Sequence, residues 1–319
     1  MGPMKHVLCC CGIVLHAVAA SLGQGVRPAV ELRAHERPVL ALAFSPDGKR
    51  LASVADDEKL IIWDLDAKAA YATFDGHATN QNRVCWTPDG KRLVAIGNDS
   101  NIRVWDVENK KAFKAIPAGD ISGGPRGLAL SPDGARIAVV GRSTLRLFDF
   151  ESAKQAASYT VHEQYGVQAV AWSADGKTIA TAGTDRKLNL VNAADGAVLR
   201  ACETDGRGVC AAFAPDGKTV YVGTDSQYLQ AFDVSSGEGG KLLEKSLPIL
   251  DIQPTAGGTQ LVVGGPGHGP LIMELPQRKI REPKLDSDDW VKAAAVSPDG
   301  KLVAGGANGG AIYLWPVGR

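Results

Sequence analysis

Short apolar runs follow one another along the chain, each bounded by residues that favour turns. Val39-Leu40-Ala41-Leu42-Ala43-Phe44 runs into Ser45-Pro46-Asp47-Gly48, and Arg50-Leu51-Ala52-Ser53-Val54 leaves it. Lys59-Leu60-Ile61-Ile62-Trp63 comes after a second tight turn at Asp56-Asp57-Glu58, and Ala70-Tyr71-Ala72-Thr73-Phe74 completes the cycle before it restarts. Runs of this length, rich in β-branched and aromatic residues and flanked by turn formers, predict strands. The turn between the first two runs has a mechanism: proline presets φ, aspartate bonds nearby backbone, and glycine accepts the conformation in which the chain leaves.

That turn recurs as Thr87-Pro88-Asp89-Gly90, Ser131-Pro132-Asp133-Gly134, Ser173-Ala174-Asp175-Gly176, Ala214-Pro215-Asp216-Gly217, a degraded Thr255-Ala256-Gly257-Gly258, and Ser297-Pro298-Asp299-Gly300. The intervals between turn glycines are 42, 44, 42, 41, 41 and 42 residues. A fixed period in this range, with several short strands per unit, predicts an all-β, seven-bladed propeller of four-stranded antiparallel blades. The last repeat stops after its third strand at Trp315, while Ala29-Val30-Glu31-Leu32-Arg33 stands one strand ahead of the first repeat. The N-terminal strand is therefore expected to complete blade seven, close the ring and remove its free edges.

A length of 319 residues alone would suggest two domains, but a closed ring of repeats is one body. The propeller is assigned to residues 24–319 and is expected to be monomeric. Residues 1–23 read as a secretory signal peptide: Lys5 and His6 precede an apolar run from Val7 to Ala20, and small residues follow, so cleavage after Ala20 or Gly23 fits. This run is too short to span a bilayer, and no membrane span is expected in the mature chain. Export to a periplasmic or extracellular location is the corresponding expectation. Cys85, Cys202 and Cys210 then remain, and the sequence leaves open whether Cys202 and Cys210 are joined or all three are buried thiols. Lys+Arg and Asp+Glu both total 35, with no block of like charge, which disfavours nucleic acid as a partner.

The set His35, Ser53, Asp57 and Trp63-Asp64 resembles the WD40-repeat family, and the resemblance runs over essentially all of residues 29–316. It implies a hydrogen-bonded chain of His, hydroxyl, Asp and Trp that ties each blade together, a satisfiable combination because indole only donates while hydroxyl and neutral imidazole do both. Repeat one retains all four. Repeat two keeps His77, Asp99 and Trp105 but has Ala95 at the hydroxyl position. Repeat four keeps Thr181 and Asp185, with His162 one residue out of register and Val191-Asn192 in place of Trp-Asp. Phe148, Phe232 and Met273 fill other closing positions, where apolar packing takes over. The plain Ser-Pro-Asp-Gly repeats and leader look more like the bacterial, exported members.

No catalytic set stands out. His35, His77 and His162 fall at the structural position, and His268 sits in the loop Gly264-Gly265-Pro266-Gly267-His268-Gly269-Pro270, which lacks the lysine and helix of a phosphate loop. The clusters Asp56-Asp57-Glu58 and Asp286, Asp288, Asp289 lack the spacing of a calcium loop, so neither metal nor cofactor is expected. The positions entering each blade carry Arg37, Arg83, Arg126, Tyr165, Arg207 and Trp290, residue types typical of protein-binding hot spots. The sequence thus predicts a non-enzymatic scaffold binding a protein or peptide through these residues. The alternative is a secreted propeller hydrolase or small-ligand binder, lactonase-like, using the central channel.

Overall fold

A computed structural model describes residues 28–75, 83–97, 99–119, 124–163, 166–245, 248–283, 285 and 289–317. The expected leader, His77, Tyr165, Asp286 and Asp288 lie outside the described residues. Among those described, strand β1 (Val30–Arg33) precedes a first blade of β2 (Val39–Phe44), β3 (Arg50–Ala55), β4 (Leu60–Asp64) and β5 (Ala69–Phe74). Six more four-stranded antiparallel sheets complete the fold, and none of the described residues is helical. Five of the six follow the chain from innermost to outermost strand. The last is built from Val291–Val296, Leu302–Ala307 and Ala311–Pro316, with β1 on the outside. Val30 faces Leu314 and Leu32 faces Ile312, so the two ends of the described chain are sewn into one sheet as expected.

The middle strands are apolar because both of their faces are covered. Leu51, Ala52, Val54 and Ala55 of β3 are all buried, as are Leu60, Ile61 and Ile62 of β4. Apolar layers lie between neighbouring blades: Trp63, Leu51 and Ile61 pack on Ala295, Ala304, Ile312 and Leu314 of the last sheet, and Ala52, Ile62 and Phe74 pack on Trp86, Leu93 and Trp105 of the second. The core is thus a ring of inter-sheet seams, each built from two consecutive repeats, and closing the ring buries the faces that end blades would otherwise expose.

The turn phrase has one geometry. Ser45 Oγ donates to Asp47 Oδ1 at 2.6 Å, Asp47 Oδ1 accepts the Lys49 N–H at 3.0 Å, and Ser45 Oγ accepts the Arg50 N–H at 2.9 Å. Gly48 sits at φ +71°, a conformation glycine adopts without strain. A Cβ on Gly48 would lie 3.6 Å from Pro298 Cδ, and one on Gly90 would lie 3.7 Å from Pro46 Cδ, so turn prolines pack on the glycines of the next blade. Cys85, Cys202 and Cys210 are all free thiols, which settles the pairing left open by the sequence.

Candidate functional site: the channel mouth

Antiparallel strands alternate in direction, so the Ser-Pro-Asp-Gly turns occupy one end of the propeller. The connections into each innermost strand and the turns between second and third strands share the other, the mouth. In blade one the mouth is tied by the four-residue chain the resemblance implied. Trp63 Nε1 donates to Ser53 Oγ at 2.8 Å, Ser53 Oγ lies 2.7 Å from His35 Nε2, and His35 Nδ1 lies 2.9 Å from Asp57 Oδ2. Burial lowers the His35 pKa, although Asp57 opposes the shift, and a neutral ring completes the pattern: Nδ1–H donates to Asp57 and Nε2 accepts from Ser53. Asp57 Oδ2 also accepts the Glu36 N–H at 3.1 Å, fixing the entering loop.

The other blades keep parts of this chain. His162 reaches Asp185 Oδ2 at 2.8 Å and Thr181 Oγ1 at 3.0 Å despite its offset, while Val191 leaves no indole to add. In blade two, Ala95 is buried, and Asp99 pairs with Arg103 at 2.5 Å and accepts from Asn101 Nδ2 at 3.1 Å. Gly305 stands where β3 has Ser53, and the buried Trp315 Nε1 has no partner among the described residues. Asp225 Oδ1 accepts the Arg207 N–H at 2.9 Å, and Asp289 Oδ1 accepts those of Trp290 at 3.0 Å and Gly309 at 2.9 Å. Carboxylates therefore lock the rim backbone even where the histidine is gone.

The residues singled out at blade entrances separate into two groups by distance from the turn glycine. Arg37, Arg207 and Trp290 lie ten or eleven positions before it and are exposed on the rim. Trp290 is 46% exposed, and Arg207 Nε stands 3.9 Å from Asp225 Oδ2. Arg126 and Arg83 lie eight and seven positions before it, and instead line a cavity of about 210 Å³ in the channel with Leu40, Gln168, Val209, Leu250, Asp251, Lys292 and Ala293. Sequence reading missed Gln168, Asp251 and Lys292. The signal was present: Leu40, Arg126, Gln168, Val209, Leu250 and Lys292 each fall eight residues before their turn glycine, a column that spacing alone would have collected.

Burial pushes the Asp251 carboxyl up, while Arg83 and the N–H groups of Ile252 and Ala294 hold it down. Burial also pushes Cys85 to about 12 and raises Cys210, which keeps both as thiols rather than nucleophilic thiolates. His268 is exposed, and its carbonyl accepts the Leu285 N–H at 2.7 Å. Asp57, one of the acids weighed for calcium, is spent on His35 and the loop backbone. The arrangement can hold a partner's side chains against a fixed rim and a charged channel.

Radial four-stranded sheets closed by a strand from the other end of the chain define a seven-bladed β-propeller. The family model for the WD domain, G-beta repeat, matches residues 27–64, 69–106, 153–192 and 279–316, and the chain is a WD40-repeat propeller. Its third, fifth and sixth blades, which close on Phe148, Phe232 and Met273, have inner strands outside these four matches. A comparison with curated proteins finds no match.

Proposed function

We propose that the propeller is a non-enzymatic platform that binds a protein or peptide across its mouth. WD40 propellers commonly serve as protein-interaction scaffolds. The observation that carries the reading here is Trp290: a large aromatic side chain 46% exposed on a backbone held at both sides, with its N–H on Asp289 and its carbonyl accepting the Asn308 N–H at 2.8 Å. An aromatic displayed on fixed backbone contributes contact area at small entropic cost, which is the profile of a hot spot. Arg37 and Arg207 flank the same opening. A channel-centred hydrolase, the competing reading, needs converging acids or histidines around a metal, whereas this cavity is lined by two arginines, a lysine and a glutamine around a single carboxylate.

Crosslinking capture from native extract tests the platform, with wild type set against a folded Arg37→Ala, Arg207→Ala, Trp290→Ala variant. A partner held by wild type and lost by the variant supports the rim. Identical captures by both sink it. On the strength of Lys5, His6 and the apolar run to Ala20, the proposed site of action is outside the cytoplasm. Cell fractionation with N-terminal sequencing of the mature protein checks this, and an intact N-terminus in the cytosolic fraction overturns it.

A further inference from the structure

The channel cavity has an unbalanced charge that the platform reading does not use. Seven positions before the turn glycine, blades one, three, four and seven carry Ala41, Gly127, Ala169 and Ala293, and blade five carries Cys210. Blades two and six instead place Arg83 and Asp251 at this level, and the two interact electrostatically. One residue nearer the mouth, blades three and seven contribute Arg126 and Lys292, with Gln168 between them in chain order. Among the described residues no carboxylate lies within ion-pair distance of either base. The cavity therefore has a floor whose base and acid offset each other and an upper level carrying two further positive charges. A surplus of one sign inside low-dielectric walls focuses potential at the opening.

The geometry points to an oxyanion subsite: the level of Arg126, Gln168 and Lys292 receives a carboxylate or phosphate group borne on a peptide side chain. Size argues for a side chain and against a small folded body. At roughly 30 Å³ per water in the liquid, a cavity of about 210 Å³ holds the equivalent of about seven waters, enough for an anionic head and its stem. Chemistry argues the same way. A guanidinium offers a planar fork to paired oxygens, an ammonium adds a point charge, and the Gln168 amide donates without adding charge. One residue deeper, Arg83 and Asp251 offset each other, so the net attraction for an anion is centred on the level of Arg126 and Lys292. The inference rests on the platform reading in one respect, that a partner presents the group.

The test uses three capped peptides differing only at their central residue, glutamate, phosphoserine or glutamine, titrated calorimetrically into the full-length protein, with inorganic phosphate as a fourth probe. Saturable binding of the glutamate or phosphoserine peptide, weakened by added salt and absent for the glutamine peptide, is expected. A phosphoserine-only result assigns the source as a phosphorylated side chain, and binding of both assigns any acidic one. Arg126→Gln combined with Lys292→Gln is expected to weaken binding at least about ten-fold. Gln168→Glu keeps both bases, adds one negative charge to the wall, and is expected to act in the same direction. Equal affinity in these variants, equal affinity for the glutamine peptide, or no binding of any anionic probe overturns the subsite. A partner still captured by the Arg126→Gln, Lys292→Gln protein but lost by Trp290→Ala would remove the subsite while leaving the platform intact.

Discussion

At the turn end of the propeller, Ser45, Thr87, Ser131, Ser173 and Ser297 each donate to the aspartate two residues on, at 2.6 or 2.7 Å. At the mouth, the column eight residues before the turn glycine runs Leu40, Arg126, Gln168, Val209, Leu250 and Lys292, with no residue used more than twice. The difference follows from range. Each turn satisfies its donors and acceptors within about five residues, so every blade can reuse one solution. The channel is a single volume shared by all blades, and identical bases from each would repel one another across it. Repetition therefore marks what each blade does for itself, and variation marks what the blades do together.

The sharpest way to break this comparison lies between the two ends, in the hydrogen-bonded chain of blade one. Ser53→Ala strands two buried groups, the Trp63 indole N–H and His35 Nε2, and each costs about 1–3 kcal/mol when left unpaired. A loss of about 2–4 kcal/mol is expected in denaturant unfolding. Thr181→Ala strands only His162 Nε2, since Val191 supplies no indole, and is expected to cost less. Equal losses would show that the Trp63 bond contributes nothing and that the four-residue chain is ornamental in the blade that keeps it whole.

Gly305→Ser would return a hydroxyl beside the Trp315 indole, which has no partner among the described residues. Its Cβ would lie 2.7 Å from Trp315 Cζ3 and 2.9 Å from Val291 Cγ1, so destabilisation of about 1–3 kcal/mol is expected from overpacking. A gain measured by thermal unfolding would mean that the seam can relax and that the missing hydroxyl was the larger effect. Blade seven illustrates the rule that hydrogen-bonded ties and tight apolar contact compete for the same space.

How much was legible follows the same division. The blade count and the closing strand could be read because turn phrases and apolar runs are local and repeat, and β2 has the bounds its apolar run predicted. The chain of His35, Ser53, Asp57 and Trp63 was legible through the family pattern. His162 is one residue out of register in the sequence, yet its ring reaches Asp185 and Thr181. In the sequence Arg83 and Arg126 share the blade-entry position with the rim residues, and the fold separates them by placing both in the cavity lining. Arg126, eight before its turn glycine, and Arg83, seven before, line the channel cavity, while Arg37, Arg207 and Trp290, ten or eleven before theirs, are exposed on the rim. Lys292, Gln168 and Asp251 went unnoticed because each is unremarkable alone and acquires meaning only from neighbours some forty residues away.

Acid should sharpen the contrast between the ends. Hydrogen bonds from Ser45, Ser131, Ser173 and Ser297 hold Asp47, Asp133, Asp175 and Asp299 below their ordinary value of 3.8. A lowered folded-state pKa contributes stability that is complete above the unfolded value and lost as pH falls through the folded one. Melting temperature is expected to drop below about pH 4, and to drop less in a protein carrying Asn at all four positions. An unchanged slope would mean that the turn carboxylates titrate alike in both states.

The smallest effect concerns one of the two turns that lack the proline, the one that keeps its serine, aspartate and glycine. Ala174 occupies the place filled by Pro46, Pro88, Pro132, Pro215 and Pro298, and in consequence a Cβ on Gly217 would meet nothing within 4 Å, whereas the corresponding positions on Gly48 and Gly90 meet a proline ring. The remaining turn bonds are intact: Ser173 Oγ donates to Asp175 at 2.6 Å, and the Gly176 N–H reaches the Ser173 carbonyl at 2.9 Å. Proline at a position whose backbone already suits it stabilises by reducing the freedom of the unfolded chain, by about 0.4–1 kcal/mol. Ala174→Pro is expected to gain that amount in denaturant unfolding, with mouth binding unchanged. A loss would show that blade four bends its turn away from the shared geometry, and that the repetition at this end is less complete than its hydrogen bonds suggest.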